Sequence, residues 1–249
     1  MIILKSPDEI EKMREASLIV ADVLDEIEKL IEPGITTEEL DRFSENLIMK
    51  RGARPAFLGY LGYPKTLCTS INEQVVHGIP GPTKLKEGDI IGVDCGALLN
   101  GYFGDSARTY PVGRISDEAS RLLCVTKEAL FKGIKEMKEG NRLHDISAAI
   151  QNHVESAGFS VVRQFVGHGI GKKMHEPPSV PNYGTPHTGP LLEKGLVLAL
   201  EPMVNAGDYN IEILDDGWTA VSKDRSLSAH FEHTVALTDQ GYDILSLRM

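Results

Sequence analysis

The sequence predicts an α+β fold of two related halves, with helices covering antiparallel sheets. Three observations carry that prediction. Long amphipathic helical stretches alternate with short strand signals, an Asn100-Gly101 pair marks a tight hairpin, and the order of elements in the first half returns in the second. A chain of 249 residues can bury a substantial core, and it is read as one domain, 1–249, with an internal repeat over about 6–113 and 116–241.

Taken in order, Ser6-Pro7-Asp8-Glu9 is a capping box with proline at the first helical position, opening a helix to about Ile31. Its apolar face repeats at Ile10, Met13, Val20, Leu24, Ile27 and Leu30, and Pro33-Gly34 stops it. Thr36-Thr37-Glu38-Glu39 starts a second helix that carries Leu40, Phe43, Leu47 and Ile48 to Arg51, with Gly52 as breaker. An aromatic, glycine-rich passage from Phe57 to Tyr63 leads into a strand over Thr66 to Asn72 and a loop from His77 to Pro82. Gly92 to Arg108 then reads as a β-hairpin, because Asn-Gly suits a type I′ turn in which both central residues have φ > 0. That turn sets the register: Leu99 faces Tyr102, Gly96 faces Asp105, and Asp94 faces Ala107. Side chains alternate along a strand, so Asp94 and Asp105 share one face as diagonal neighbours. A third helix is expected from about Asp117 to Glu139 and a fourth from about Leu143 to Ala157; the remainder is strand and loop.

The repeat places acids on acids. Lys86 to Asp94 aligns without a gap on Glu193 to Glu201, so Asp94 lands on Glu201. Asp105 to Val112 resembles Glu232 to Asp239, after an insert that contains Asp208 to Ser226 and the single tryptophan, Trp218. A duplicated helix-helix-strand-hairpin unit predicts two sheets meeting about a pseudo-twofold. Asp94, Asp105, Glu201 and Glu232 would converge at that interface, where ligands commonly sit.

Composition narrows the function. A net charge of −10 argues against a general nucleic-acid or anionic-membrane surface. The opening residues are charged throughout, which predicts no signal peptide, and no apolar run reaches membrane-spanning length. Cys68, Cys95 and Cys124 are odd in number and widely spaced, which fits a reducing cytoplasm and excludes a disulfide framework or zinc ribbon. The stretch Gly167-His168-Gly169-Ile170-Gly171 matches neither phosphate-loop pattern; His175-Glu176 is not part of H-E-x-x-H, and no G-x-S-x-G elbow exists. For one acid alone the ordinary reading is a solvated charge, and for His168 alone a hydrogen-bonded loop histidine. Two carboxylates on one face without a Lys or Arg repel unless they share a proton or hold a cation. Four acids with one or two histidines suit harder divalent ions such as Mn²⁺, Fe²⁺ or Co²⁺, and would overload one ion but suit two.

Gly-Val-Asp94 with Gly-Asp105, Gly-His168-Gly-Ile-Gly, Leu-Glu201-Pro and Phe-Glu232-His-Thr resemble the bacterial type I methionine aminopeptidases. The similarity also takes in Ser70-Ile71-Asn72-Glu73 and His77-Gly-Ile-Pro and covers essentially the whole chain. The resemblance implies the pita-bread fold and two divalent ions (cobalt, manganese or iron, with zinc a further option). By the same resemblance, Asp94 chelates one ion, Asp105 and Glu232 bridge both, and His168 and Glu201 complete the other. His77 and His175 would steady the scissile amide and its oxyanion, and Glu201 would shuttle the proton. The methionine pocket would be lined by Phe57, Tyr60, Tyr63, Cys68, Met174 and Trp218. Three residues depart from the commonest family pattern: Phe57 where cysteine is frequent, Met174 where an aromatic is frequent, and Gly96 where threonine often stands. The implied activity is removal of initiator methionine from nascent polypeptides with a small second residue, by a cytoplasmic monomer in transient contact with the ribosome. The alternatives are a proline-directed aminopeptidase or dipeptidase of the same fold, or a non-enzymatic binding protein that kept it.

Overall fold

A computed structural model describes residues 2–248. Helix α1 (Pro7–Glu28) begins at the expected box: the Glu9 N–H donates to Ser6 Oγ, and the Ser6 N–H donates to the Glu9 carboxylate. It ends at Glu28 rather than Ile31, because Pro33 disfavours helical backbone in Glu32 and Lys29-Leu30 close in a turn. Helix α2 (Thr37–Lys50) opens on the same device, with Thr36 and Glu39 capping each other. Short strands β1 (Arg54–Pro55), β2 (Leu67–Ile71) and β3 (Gln74–Val76) precede the hairpin of β4 (Ile90–Leu99) and β5 (Tyr102–Pro111). Asn100 at φ 51 and Gly101 at φ 82 form its turn. The register is Leu99 to Tyr102, Gly96 to Asp105 and Asp94 to Ala107, as the turn type predicts.

Helix α3 (Asp117–Lys135) stops short of Glu139, since Met137 turns into the core and Gly140 takes φ 90; α4 (Leu143–Ser156) follows. The rest is strand: β6 (Ser160–Val161), β7 (Gly167–Gly169), β8 (Glu176–Val180), β9 (Val197–Leu200), β10 (Met203–Asn205), β11 (Ile211–Ile213), β12 (Ala220–Ser222), β13 (Ser228–His230), β14 (His233–Thr238) and β15 (Gly241–Ile244).

β4 pairs with β5 along one edge and with β2 and β1 along the other, all antiparallel. Its odd-numbered residues Ile91, Val93, Cys95 and Ala97 face α1 and α2, packed on Leu24, Ile27, Leu40 and Ile48. Asp94 and Gly96 therefore face the other way. In the second half a five-stranded sheet of order β15-β14-β9-β7-β8 packs Leu198, Leu200 and Val235 under Leu122, Leu130, Ile146 and Ile150 of α3 and α4. Each such side chain contributes about 1.5–3 kcal/mol by leaving water.

Hydroxyl side chains lace the halves together. Thr234 Oγ1 donates to the Asp105 carbonyl (2.8 Å) and accepts from the Asp105 N–H, and Ser106 Oγ donates to the Glu232 carbonyl (2.6 Å). The Glu232 N–H returns to Ala107 O (2.8 Å), and Thr109 Oγ1 both accepts from the His230 N–H and donates to its carbonyl. This seam puts carboxylates from both halves in one place.

Candidate active site

Asp94 and Asp105 arrive on one face of the hairpin and the remaining donors come from the second half. Glu232 lies between β13 and β14, tied by its N–H to β5; Glu201 follows β9, where Asn182 Nδ2 donates to its carbonyl (3.1 Å). His168 sits in β7, paired with Ala199 of β9. Its Nδ1 donates to Gly169 O (2.9 Å), an acceptor only, so the Nε2 lone pair is left for another partner. That nitrogen lies 3.8 Å from Asp105 Oδ2 and 3.6 Å from Glu201 Oε1. Asp105, His168 and Glu232 present donor atoms within 4.8 Å of one another.

The electrostatics are those of an uncompensated acidic cluster. Burial pushes the Asp94 carboxyl up to about 7. Burial first, then repulsion among neighbouring carboxylates, raises Asp105, Glu201 and Glu232 well above the usual range. Asp94 Oδ1, Asp105 Oδ1 and Glu232 Oε1 are buried without a hydrogen-bond partner. Among the described residues, no Lys or Arg lines the cavity they face. Buried carboxylate oxygens with neither donor nor counter-charge fit a divalent cation, and the oxygen-rich set with one imidazole suits the harder ions.

The same cavity, of about 160 Å³, is lined by all the metal-ligand, catalytic and pocket candidates named from the sequence. Phe57, Tyr60, Tyr63, Cys68, Met174 and Trp218 form its apolar wall, with Trp218 edge-on to Tyr63 at 5.0 Å. His77 and His175 flank the carboxylates. His77 holds φ 61, a conformation that costs a non-glycine residue about 1 kcal/mol or more. Its loop is held there by the next carbonyl, Gly78 O, which accepts from the Thr69 N–H and Tyr63 Oη. Burial lowers His77 and His168 to about 4 and lowers His175 as well, so all three are neutral at neutral pH. The His175 ring lies tilted against that of His168, centroids 4.3 Å apart, and its Nδ1 hydrogen-bonds Tyr60 Oη (2.8 Å).

Two residues at the site escaped the sequence reading. Leu61 stands at the cavity mouth, 80% exposed. His230 is buried with Nε2 unpartnered, 3.7 Å from Glu201 Oε2. Its period-two spacing from Glu232 was the available signal.

Residues 11–239 match the model of metallopeptidase family M24, and the chain belongs to that family. Within it the chain falls among the methionine aminopeptidases. It is 56% identical over 248 residues to a methionine aminopeptidase of Clostridium acetobutylicum, with 99% of each chain covered. It is similar to the crystal structure of methionine aminopeptidase from Thermotoga maritima, with a TM-score of 0.98, 49% identity and full coverage of both chains. These neighbours show the α+β pita-bread fold. A prolidase from Pyrococcus horikoshii shares the fold alone: TM-score 0.81, 23% identity, with all of this chain matching 65% of that one. The proline-directed reading is therefore not the favoured one. Among the described residues, no helix is long and apolar enough to cross a membrane.

Proposed function

We propose that the chain removes N-terminal methionine from newly made polypeptides with a small second residue, using two divalent cations. One observation carries the reading: a single cavity joins an apolar side-chain pocket to a carboxylate cluster that lacks any counter-charge. Asp94, Asp105, His168, Glu201 and Glu232 would hold the ions, drawn from manganese, iron, cobalt or zinc. Divalent ions in such a site supply Lewis acidity and make water a nucleophile near neutral pH.

The protein's own groups do the rest. The aromatic and thioether wall takes the methionine side chain and excludes water. The free α-amine of the substrate meets the acidic cluster, which an internal peptide cannot do, so only a terminal residue is removed. His77 and His175, held neutral by burial, each offer an N–H to the scissile carbonyl oxygen as negative charge develops there. Glu201 accepts a proton from the attacking water and delivers it to the leaving nitrogen.

We read residues 1–249 as one catalytic domain with related halves, 6–113 and 116–241, acting in the cytoplasm as a monomer in transient contact with the ribosome. The test is metal-free protein titrated with Mn²⁺, Co²⁺ and Fe²⁺ against Met-Ala-Ser, Ala-Pro and an Xaa-Pro peptide. Release of methionine from Met-Ala-Ser alone supports the reading; cleavage confined to the proline substrates replaces it.

A further inference from the structure

Gly96 has no conformational reason to be glycine. It lies mid-strand in β4, opposite Asp105, and is not among the residues of positive φ. Its missing side chain would point to the same face as Asp94, into the cavity. A Cβ built there would lie 2.8 Å from Phe57 Cε1, 2.9 Å from Ala56 Cβ and 3.2 Å from Met174 Cε. The space a side chain would occupy is filled by the edge of the Phe57 ring, with the Met174 thioether lying against it. Phe57, Met174 and Ala56 are all buried in one small apolar cluster.

Not all three neighbours can give way. Ala56 is fastened to β4, its N–H donating to Gly96 O at 3.0 Å, with Pro55 paired to Ala97 beside it. Met174 and the Phe57 ring can shift, and both line the cavity, so their open side is the pocket itself. A methyl group at position 96 therefore drives the ring into the space available to a substrate side chain.

We infer that Gly96 is a specificity-determining residue: it seats the Phe57 ring against β4 and so sets the depth of the pocket for the substrate's first side chain. Gly96 touches no substrate and acts through Phe57. The inference rests on the proposed aminopeptidase reading and refines its side-chain pocket.

The experiment measures kcat/KM of the metal-loaded enzyme on Met-Ala-Ser, norvalyl-Ala-Ser and Ala-Ala-Ser. The variants are Gly96→Ala, Phe57→Leu and the double variant, with metal content and melting temperature measured for each. Gly96→Ala is expected to lower the Met-to-Ala ratio about tenfold or more, the order that one methylene commands in an apolar pocket. Metal content should stay unchanged. Phe57→Leu removes the ring edge, so it should shift preference toward longer side chains and return most of the lost ratio in the double variant. Ala56 meets the new methyl in both backgrounds, so its cost cancels in the cycle. A loss equal for all three peptides, or effects that simply add, overturns the inference. Should Gly96→Ala fail to fold, Phe57→Leu alone decides: an unchanged side-chain profile refutes the seat, and a lengthened one supports it. Wild-type preference among the peptides judges the aminopeptidase reading separately, because the inference is read from the change in profile relative to whichever residue the wild type prefers.

Discussion

Replacing Asp94 with Asn should stabilise the metal-free protein at pH 8 while abolishing activity. Burial raises the Asp94 carboxyl from its ordinary 3.8 to about 7. A carboxyl with a raised folded-state pKa favours folding while it keeps its proton, and that advantage is lost as pH climbs through the folded value. Ionising Asp94 in the folded chain then costs about 4 kcal/mol by pH 8, at about 1.4 kcal/mol for each pH unit between 3.8 and 7. Burial and repulsion among the carboxylates raise Asp105, Glu201 and Glu232 as well, so they too cost stability as pH rises. The buried histidines run the other way: His77 and His168, lowered to about 4, cost stability only as pH falls below about 6.5. Urea denaturation followed by circular dichroism between pH 5 and 8, with chelator, isolates Asp94 as the difference between wild type and variant, because the histidine contribution is common to both. Metal-free wild type should lose stability relative to Asp94→Asn as pH rises across that window and end below it, and added Mn²⁺ or Co²⁺ should lift wild type most at the alkaline end. A difference between wild type and variant that is the same at pH 5 and pH 8, or a variant no more stable than wild type at pH 8, would refute the crowded cluster.

Other expectations concern the flanking groups. His175→Ala should lower kcat by about 100- to 1000-fold, the worth of one oxyanion donor, with metal content by mass spectrometry unchanged. Tyr60→Phe removes the 2.8 Å bond to His175 Nδ1 and should cost kcat about three- to tenfold with KM little moved; unaltered kcat would mean that Tyr60 does not orient the ring. Lys5 and Glu176 form a buried pair at 2.5 Å, and the Lys173 N–H also donates to Glu176, beside His175. Lys5→Met should therefore cost about 3–5 kcal/mol in urea denaturation by stranding a buried carboxylate, and adding Glu176→Gln should recover at least half of it.

What was legible in the sequence was what neighbouring residues decide among themselves. The Asn100-Gly101 turn dictates the hairpin register, and with it the shared face of Asp94 and Asp105, because both turn residues must take φ > 0. The capping boxes at Ser6 and Thr36 place two helix starts to the residue. Helix ends were less legible. α3 ends at Lys135, and Met137, two residues on, is fully buried in the core with residues distant in the chain, which no local window of sequence contains.

By itself, then, the sequence determined the donor types, their order along the chain, and the strand face on which the first two sit. The tertiary structure alone decided what they meet. The Ser106, Thr109 and Thr234 hydroxyls bring Asp105 and Glu232 together across more than a hundred positions of chain. His230 comes within reach of Glu201 only through that seam. Gly96 shows its purpose only when Phe57 and Met174 are seen over it. Backbone chemistry acts between adjacent residues and can be read along the chain; steric fit and unpaired charge exist only between residues that folding has made neighbours.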